Sequence, residues 1–284
     1  MRFFEPTTIE EAIRDLSVDP GHRCLAGGAT LVAMLNAGLI EPTGLVSLAN
    51  ISEIRGITRS GDGKITIGAM TLHQTVADSN LFRGGHKLVR DAARKIGHPA
   101  IRNMGTIGGS ISHADAAADY PVALVAADAA IEIAGPKGRR SLPANSFFVD
   151  YLETALTPGE LVIGVTLPPN PGAFSGYKKF ARVDGDFATV SVAAVLAMDG
   201  RKCREARIAI GGCGPTPVRV PKAEHRLART SLDEALIAAY CDEVVTACDP
   251  IDDFRGTAEY RLMLVPVMVR RALALALARA EDRS

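Results

Sequence analysis

The chain carries no excess of either charge: 32 lysines and arginines are balanced by 32 aspartates and glutamates over 284 residues. A nucleic-acid-binding role needs a basic surface, and this balance implies none. No long apolar run is present either. The best candidate for a membrane span, residues 262–280, is broken by Pro266, Arg270, Arg271 and Arg279, which suits a packed amphipathic helix and not a lipid-facing one. No apolar stretch follows Arg2 in the manner of a secretory signal, so a cytoplasmic location is the default expectation. The five cysteines, Cys24, Cys203, Cys213, Cys241 and Cys248, contain no C-x-x-C pair. Iron–sulfur clusters and structural zinc need grouped thiolates or tight Cys/His spacings, so neither centre is expected in this chain. The thiols read as reduced and mostly buried. His73, His86, His98 and His113 are isolated and read as surface or capping residues, not metal ligands. There is no internal repeat, and no G-x-G-x-x-G spacing of a Rossmann nicotinamide site.

What is present is an ordinary globular composition, 47% hydrophobic and 23% charged, in a chain long enough for two or three compact units with their own cores. The first stretch reads as alternating helix and strand. Thr7-Thr8-Ile9-Glu10-Glu11 offers a threonine N-cap with a glutamate three residues on. An apolar run, Cys24-Leu25-Ala26, stops at Gly27-Gly28 and restarts as a helical pattern from Thr30 to Leu35, ending near Gly38. Strands are expected at Leu45–Leu48, Lys64–Gly68, Ala130–Ala134 and Leu161–Leu167, with Thr71 as a helix cap and a helix over His86–Ile96. Pro168-Pro169-Asn170-Pro171-Gly172 reads as a boundary. Beyond it, Ala188–Met198 and Ala206–Ile210 pair antiparallel around Asp199-Gly200, Ser231-Leu232-Asp233-Glu234 reads as a capping box, and Ala258–Ala280 as a long final helix. The expected units are 1–55, 56–174 and 175–284.

Two glycine loops carry the chemistry. Ala26-Gly27-Gly28-Ala29-Thr30 falls where a strand ends and a helix starts, a place where bare amide N–H groups converge and can hold a pyrophosphate. Thr106-Ile107-Gly108-Gly109-Ser110 adds hydroxyls to the same kind of loop, and the two together could grip a dinucleotide diphosphate. A Gly-Gly turn is also explained by backbone conformation alone. After the second loop come Asp115 and Asp119 among alanines. Asp119 either binds ribose hydroxyls or caps a helix starting at Tyr120 or Pro121, and both can hold together.

Leu25-Ala-Gly-Gly-Ala-Thr-Leu31, then Arg102-Asn-Met-Gly-Thr-Ile-Gly-Gly-Ser110 with Asp115 and Asp119, then Tyr177-Lys-Lys-Phe-Ala-Arg182 with Gly185-Asp-Phe-Ala188, resemble the FAD-binding medium subunit of molybdenum hydroxylases such as carbon monoxide dehydrogenase and xanthine dehydrogenase. Thr216-Pro-Val-Arg219, Ala223-Glu224 and Glu259-Tyr-Arg261 extend the match to the C-terminal third. The resemblance implies an α+β fold: a vanillyl-alcohol-oxidase-type FAD domain of two αβ subdomains, followed by a C-terminal α+β domain with a small antiparallel sheet. It implies FAD bound by Ala26, Gly27, Gly28, Ala29, Thr30, Thr106, Ile107, Gly108, Gly109 and Ser110, with Asp119 on the ribose or ribityl side. It adds Ile96, Val162 and Lys178 as flavin neighbours. A lysine at the pyrimidine edge favours the anionic reduced flavin by charge attraction; the other reading of Lys178 is a solvated strand-edge lysine.

The implied role is electron transfer. Partner subunits would supply the molybdenum cofactor (large subunit) and [2Fe-2S] clusters (small subunit), assembled as a dimer of heterotrimers, with FAD here as the electron exit. The alternative is a free-standing FAD-dependent reductase. Departures from the family pattern are Ala29-Thr30 where Thr-Asp is frequent, Ser110 for Asn, and Ala116 for Pro. None of them removes a backbone donor. The cysteine-bearing insertion of the 4-hydroxybenzoyl-CoA reductase branch is absent.

Overall fold

The computed structural model describes residues 1–282 and builds them around three larger sheets and one two-stranded sheet. The first is small and parallel. β1 (Arg2–Phe4), α1 (Ile9–Ser17), β2 (His22–Leu25), α2 (Leu31–Asn36) and β3 (Gly44–Ser47) give the strand order β1-β3-β2. The Thr8 hydroxyl accepts the Glu11 amide, while the Glu11 carboxylate reaches back to the Thr7 amide, so the expected cap fixes where α1 starts.

The second unit holds a five-stranded antiparallel sheet. In chain order it comprises β4 (Ile57–Arg59), β5 (Ile65–Gly68), α3 (His73–Asp78), α4 (Lys87–Lys95), α5 (Pro99–Arg102), α6 (Ile107–His113) and α7 (Asp119–Ala126). It continues with β6 (Ala130–Gly135), β7 (Gly138–Pro143), α8 (Ala144–Phe147), the short hairpin β8 (Phe148–Asp150) and β9 (Glu153–Thr154), and β10 (Leu161–Leu167). The sheet order β4-β5-β10-β6-β7 places β10 at the centre, and a register shift between Val162 and Gly164 bends it. All eight residues of α7 are buried, which is possible because its side chains are almost entirely apolar and its one carboxylate is paired.

The third unit is a meander of β11 (Ala173–Phe180), β12 (Val190–Asp199) and β13 (Lys202–Gly211), with α9 (Pro221–Leu227), α10 (Glu234–Ala247) and α11 (Ala258–Glu281). β12 divides its side chains between two cores. Val190, Val192, Ala194 and Leu196 join the core under α10 and α11, while Ala193, Val195 and Ala197 join the one around α7. Helix α11 comes so close to β11 that a Cβ on Gly176 would lie 2.1 Å from the Ala272 carbonyl oxygen.

Several local expectations are corrected by tertiary contacts. Thr71 caps no helix: its hydroxyl donates to the Gly56 carbonyl, and α3 begins after Leu72. Asp233, not Ser231, caps α10, accepting the Leu236 amide. Asp119 opens α7 behind Ala118, and its carboxylate bonds side chains far away in sequence. His73 and His86 are buried, not surface residues; His86 sits within 2.8 Å of the Pro168 carbonyl.

Candidate cofactor site

A cavity of about 670 Å³ opens where the three units meet, a size typical of small-molecule and cofactor sites. It lies beyond the carboxyl ends of the parallel strands β2 and β3, where α/β units place their ligands. One wall is the loop after β2. None of the amide N–H groups of Gly27, Gly28, Ala29, Thr30 and Leu31 has a hydrogen-bond partner within the described chain. Successive unpaired backbone donors in one tight loop form an anion-binding concavity. Gly28 makes the loop possible with φ +79°, and Gly27 lies against the opposite wall, where a Cβ would stand 1.9 Å from the Met104 carbonyl oxygen.

The opposite wall is the start of α6. Here the amides are already engaged. Ile107 donates to Thr71 O at 3.0 Å, Gly108 to Ala69 O at 2.8 Å, Gly109 to the Thr106 hydroxyl at 3.2 Å and Ser110 to Thr106 O at 3.0 Å. The second loop therefore contributes a surface and the Ser110 side chain, not a second row of bare donors. Gly108 packs on Ala69, where a Cβ would fall 2.6 Å from the alanine methyl, so this glycine permits close helix–strand approach.

Asp119 lines the cavity with only 4% of its surface exposed. Its Oδ1 accepts from the Tyr177 hydroxyl at 2.5 Å and its Oδ2 from the Lys179 ammonium at 2.9 Å. Burial pushes its carboxyl above the ordinary range, and the Lys179 charge and both hydrogen bonds pull it back down. Two donors leave lone pairs free on the carboxylate, since four acceptor sites are available. Asp115 accepts the Ala117 amide at 2.8 Å and shapes the turn before α7.

Of the residues expected from sequence, Ala26 to Thr30, Ile96, Thr106, Gly108, Gly109, Ser110, Asp119 and Val162 all line this one cavity. Ile107 and Lys178 do not. Ile107 is fully buried beneath the α6 start. Lys178 follows the alternation of β11 to the side of Gly176 and Phe180, which α11 covers, while Lys179 on the inner side reaches Asp119. The ammonium near the cavity is thus one residue further along.

Several further lining residues were not among the site residues expected from sequence, His98 and His113 among them. His73 lines the cavity; burial pushes its imidazole down to about 4, and its Nδ1 has no partner. Glu160 lines it too, held by Arg140 through two contacts of 2.7 and 2.6 Å. Gly97 and Gly185 interlock by a 2.9 Å amide–carbonyl bond and bring Asp186 and Phe187 to the rim. Gly185, Asp186 and Phe187 belong to the motif Gly185-Asp-Phe-Ala188 and so carried a signal; Gly97, His73 and Glu160 had none.

The unpaired amide row, the glycine cradle and the partly satisfied carboxylate fit a dinucleotide whose diphosphate and hydroxyls need those groups. Comparison with known proteins agrees. Residues 1–170 match the FAD binding domain in molybdopterin dehydrogenase, and residues 175–276 match the CO dehydrogenase flavoprotein C-terminal domain. The chain belongs to the FAD-binding medium-subunit family of molybdenum hydroxylases, a family of oxidoreductase subunits.

Among curated relatives, subunit alpha of the 6-hydroxypseudooxynicotine dehydrogenase complex of Paenarthrobacter nicotinovorans is 37% identical over 96% of this chain and 93% of its own length. The carbon monoxide dehydrogenase medium chain of Hydrogenophaga pseudoflava is 33% identical over 98% of this chain and 97% of its own. The solved structure of carbon monoxide dehydrogenase from Hydrogenophaga pseudoflava, lacking the Mo-pyranopterin moiety of its molybdenum cofactor, superposes with a TM-score of 0.94 at 33% identity, covering 98% of both chains. That agreement extends to the α+β architecture as a whole. Among the described residues no helix is long and apolar enough to cross a membrane.

Proposed function

We propose that this chain is the electron exit of a molybdenum hydroxylase complex. FAD in the cavity would take electrons from a small [2Fe-2S] partner subunit, which receives them from a molybdenum cofactor on a large partner subunit. An external acceptor such as a quinone, NAD or oxygen then collects them. The observation that carries the reading is the row of unpaired amides from Gly27 to Leu31 in a loop that lines the cavity. Relatives named as subunits and medium chains of dehydrogenase complexes support the partnership. A dimer of heterotrimers and a cytoplasmic location complete the proposal.

When bound, FAD supplies a carrier that can exchange electrons singly or in pairs. The chain's own residues hold it. The Gly27–Leu31 amides donate to the diphosphate, and Ser110 offers its hydroxyl from the facing loop. Asp119, fixed by Tyr177 and Lys179, accepts from a ribose or ribityl hydroxyl. Ile96 and Val162 supply apolar wall that keeps water from the ring. Lys178, under α11, has no part in these contacts.

Expression of the chain alone and together with its genomic neighbours tests the proposal. Flavin absorbance in both preparations, with iron and molybdenum only in the co-expressed one, is the expected result. A colourless chain that neither takes up FAD nor retains partners overturns it. A yellow chain that turns over alone with a nicotinamide donor replaces it with the free-standing reductase.

A further inference from the structure

Away from the cavity, at the base of the third unit, two of the five thiols meet. Cys213 follows β13 and is fully buried; Cys248 follows α10 and is partly exposed. Their main chains touch through the neighbouring Asp249, which sets the two cysteines side by side. Both backbones are pinned. The Asp249 amide donates to the Cys213 carbonyl at 2.9 Å, and the buried Arg261 guanidinium bonds the carbonyl of Gly212 at 3.1 Å and that of Thr189 at 2.7 Å. The Cys248 amide closes α10 on the Val244 carbonyl at 3.1 Å. Two cysteines set side by side by fixed chain segments meet the first requirement for a disulfide, that no large backbone movement be needed.

We propose that Cys213 and Cys248 form an oxidisable dithiol that reacts with hydroperoxides, Cys248 attacking and Cys213 resolving. Accessibility sets the order, because Cys248 is partly exposed to a peroxide and Cys213 is buried. Protonation agrees. The hydrogen bond from Cys213 lowers the Cys248 thiol, and that same bond, with burial, pushes the Cys213 thiol up. In the first step the Cys248 thiolate attacks one oxygen of hydrogen peroxide, breaking the O–O bond and releasing hydroxide, which the proton lost from Cys248 neutralises to water. Cys248 is left as a sulfenic acid. The Cys213 sulfur then attacks the Cys248 sulfur, its proton leaving with the sulfenic hydroxyl as a second water. Two thiols are oxidised by two electrons and one peroxide is reduced to two waters. The other thiols, Cys24, Cys203 and Cys241, serve as internal controls.

The full-length chain with its bound flavin is treated with hydrogen peroxide near equimolar ratio, unfolded in an alkylating agent and mapped by peptide mass. A linked pair of peptides containing Cys213 and Cys248, lighter by two hydrogens and separated by dithiothreitol, is expected, with loss of two titratable thiols out of five. In Cys213→Ser the reaction should stall, leaving Cys248 as a sulfenic acid that takes a dimedone label. Cys248→Ser should leave Cys213 unreacted. Should the buried substitution prevent folding, the wild-type map decides alone. Both cysteines fully alkylated after peroxide, or Cys248 carried to sulfinic acid without a link, overturns the proposal.

Discussion

The Tyr177 hydroxyl lies 2.5 Å from Oδ1 of Asp119, joining β11 of the third unit to the first residue of α7 in the second. Lys179, two residues along the same strand, holds the other oxygen with its side chain 3% exposed. A carboxylate gripped from one strand by a phenol and an ammonium is fixed in direction before any ligand arrives.

Removing the ammonium should therefore be costly. Lys179→Met is expected to destabilise the chain by about 3–5 kcal/mol, the range for stranding one partner of a buried ion pair. Because burial already raises the Asp119 carboxyl, its contribution to stability is full at low pH and lost as pH rises through the folded value. Without Lys179 that value rises further, so the variant loses more at pH 8 than at pH 5. Urea unfolding at both pH values measures this, and equal losses count against the pairing. Lys178→Met should retain FAD; Lys179→Met should lose it more readily.

Two glycines separate strain from contact. Gly38 has φ +65° with nothing within 4 Å of the place a Cβ would take, so Gly38→Ala should cost only about 1–2 kcal/mol of left-handed strain. Gly27→Ala drives a methyl into the Met104 carbonyl and should cost at least about 2–3 kcal/mol. It should also abolish flavin retention after gel filtration. Flavin loss in the Gly38 variant and not the Gly27 variant contradicts the site.

Acid sensitivity should trace in part to Glu160. Hydrogen bonds from Arg140 pull its carboxyl down from 4.5 to about 2. A lowered carboxyl contributes stability above its unfolded value and loses it as pH falls through the folded one. Thermal melts of wild type and Glu160→Gln should differ at pH 6 by on the order of 1 kcal/mol, the pair being screened on its Arg140 side, which is 36% exposed. The two curves should converge toward pH 2.

At the start of α10, Asp233→Ala should cost about 1 kcal/mol, the ordinary value of an N-cap. Ser231→Ala should cost almost nothing, since the Leu236 amide bonds Asp233. Chemical denaturation of the two variants distinguishes the caps directly.

The contrast between Asp233 and Ser231 shows what was legible in the chain. Capping residues, glycine loops and alternating strands such as Leu161–Leu167 announce themselves because their causes lie within a few residues. The Thr8 cap and the strand–loop–helix around Gly27 were readable for that reason, and the glycine loops led to two facing parts of the cavity wall. The choice between two cappers two residues apart depends on where the helix axis is set by packing, which is not local. Asp119 met the same limit. Its sequence neighbours suggest a cap, and only the fold brings Tyr177 and Lys179 to it. Lys178 and Lys179 differ by one position on a strand, and so by a whole face. His73 and Glu160 carry no pattern, and enter the site because the sheets converge there.

The contact of Gly27 with Met104 and Gly105 is main chain against main chain. A seam of that kind offers no side chain to enlarge, shrink or recharge. Drift in sequence can therefore remodel the pocket floor or its rim, yet it cannot slide one loop along the other without dismantling both, and the spacing of the two loops is the feature of this chain least open to gradual adjustment.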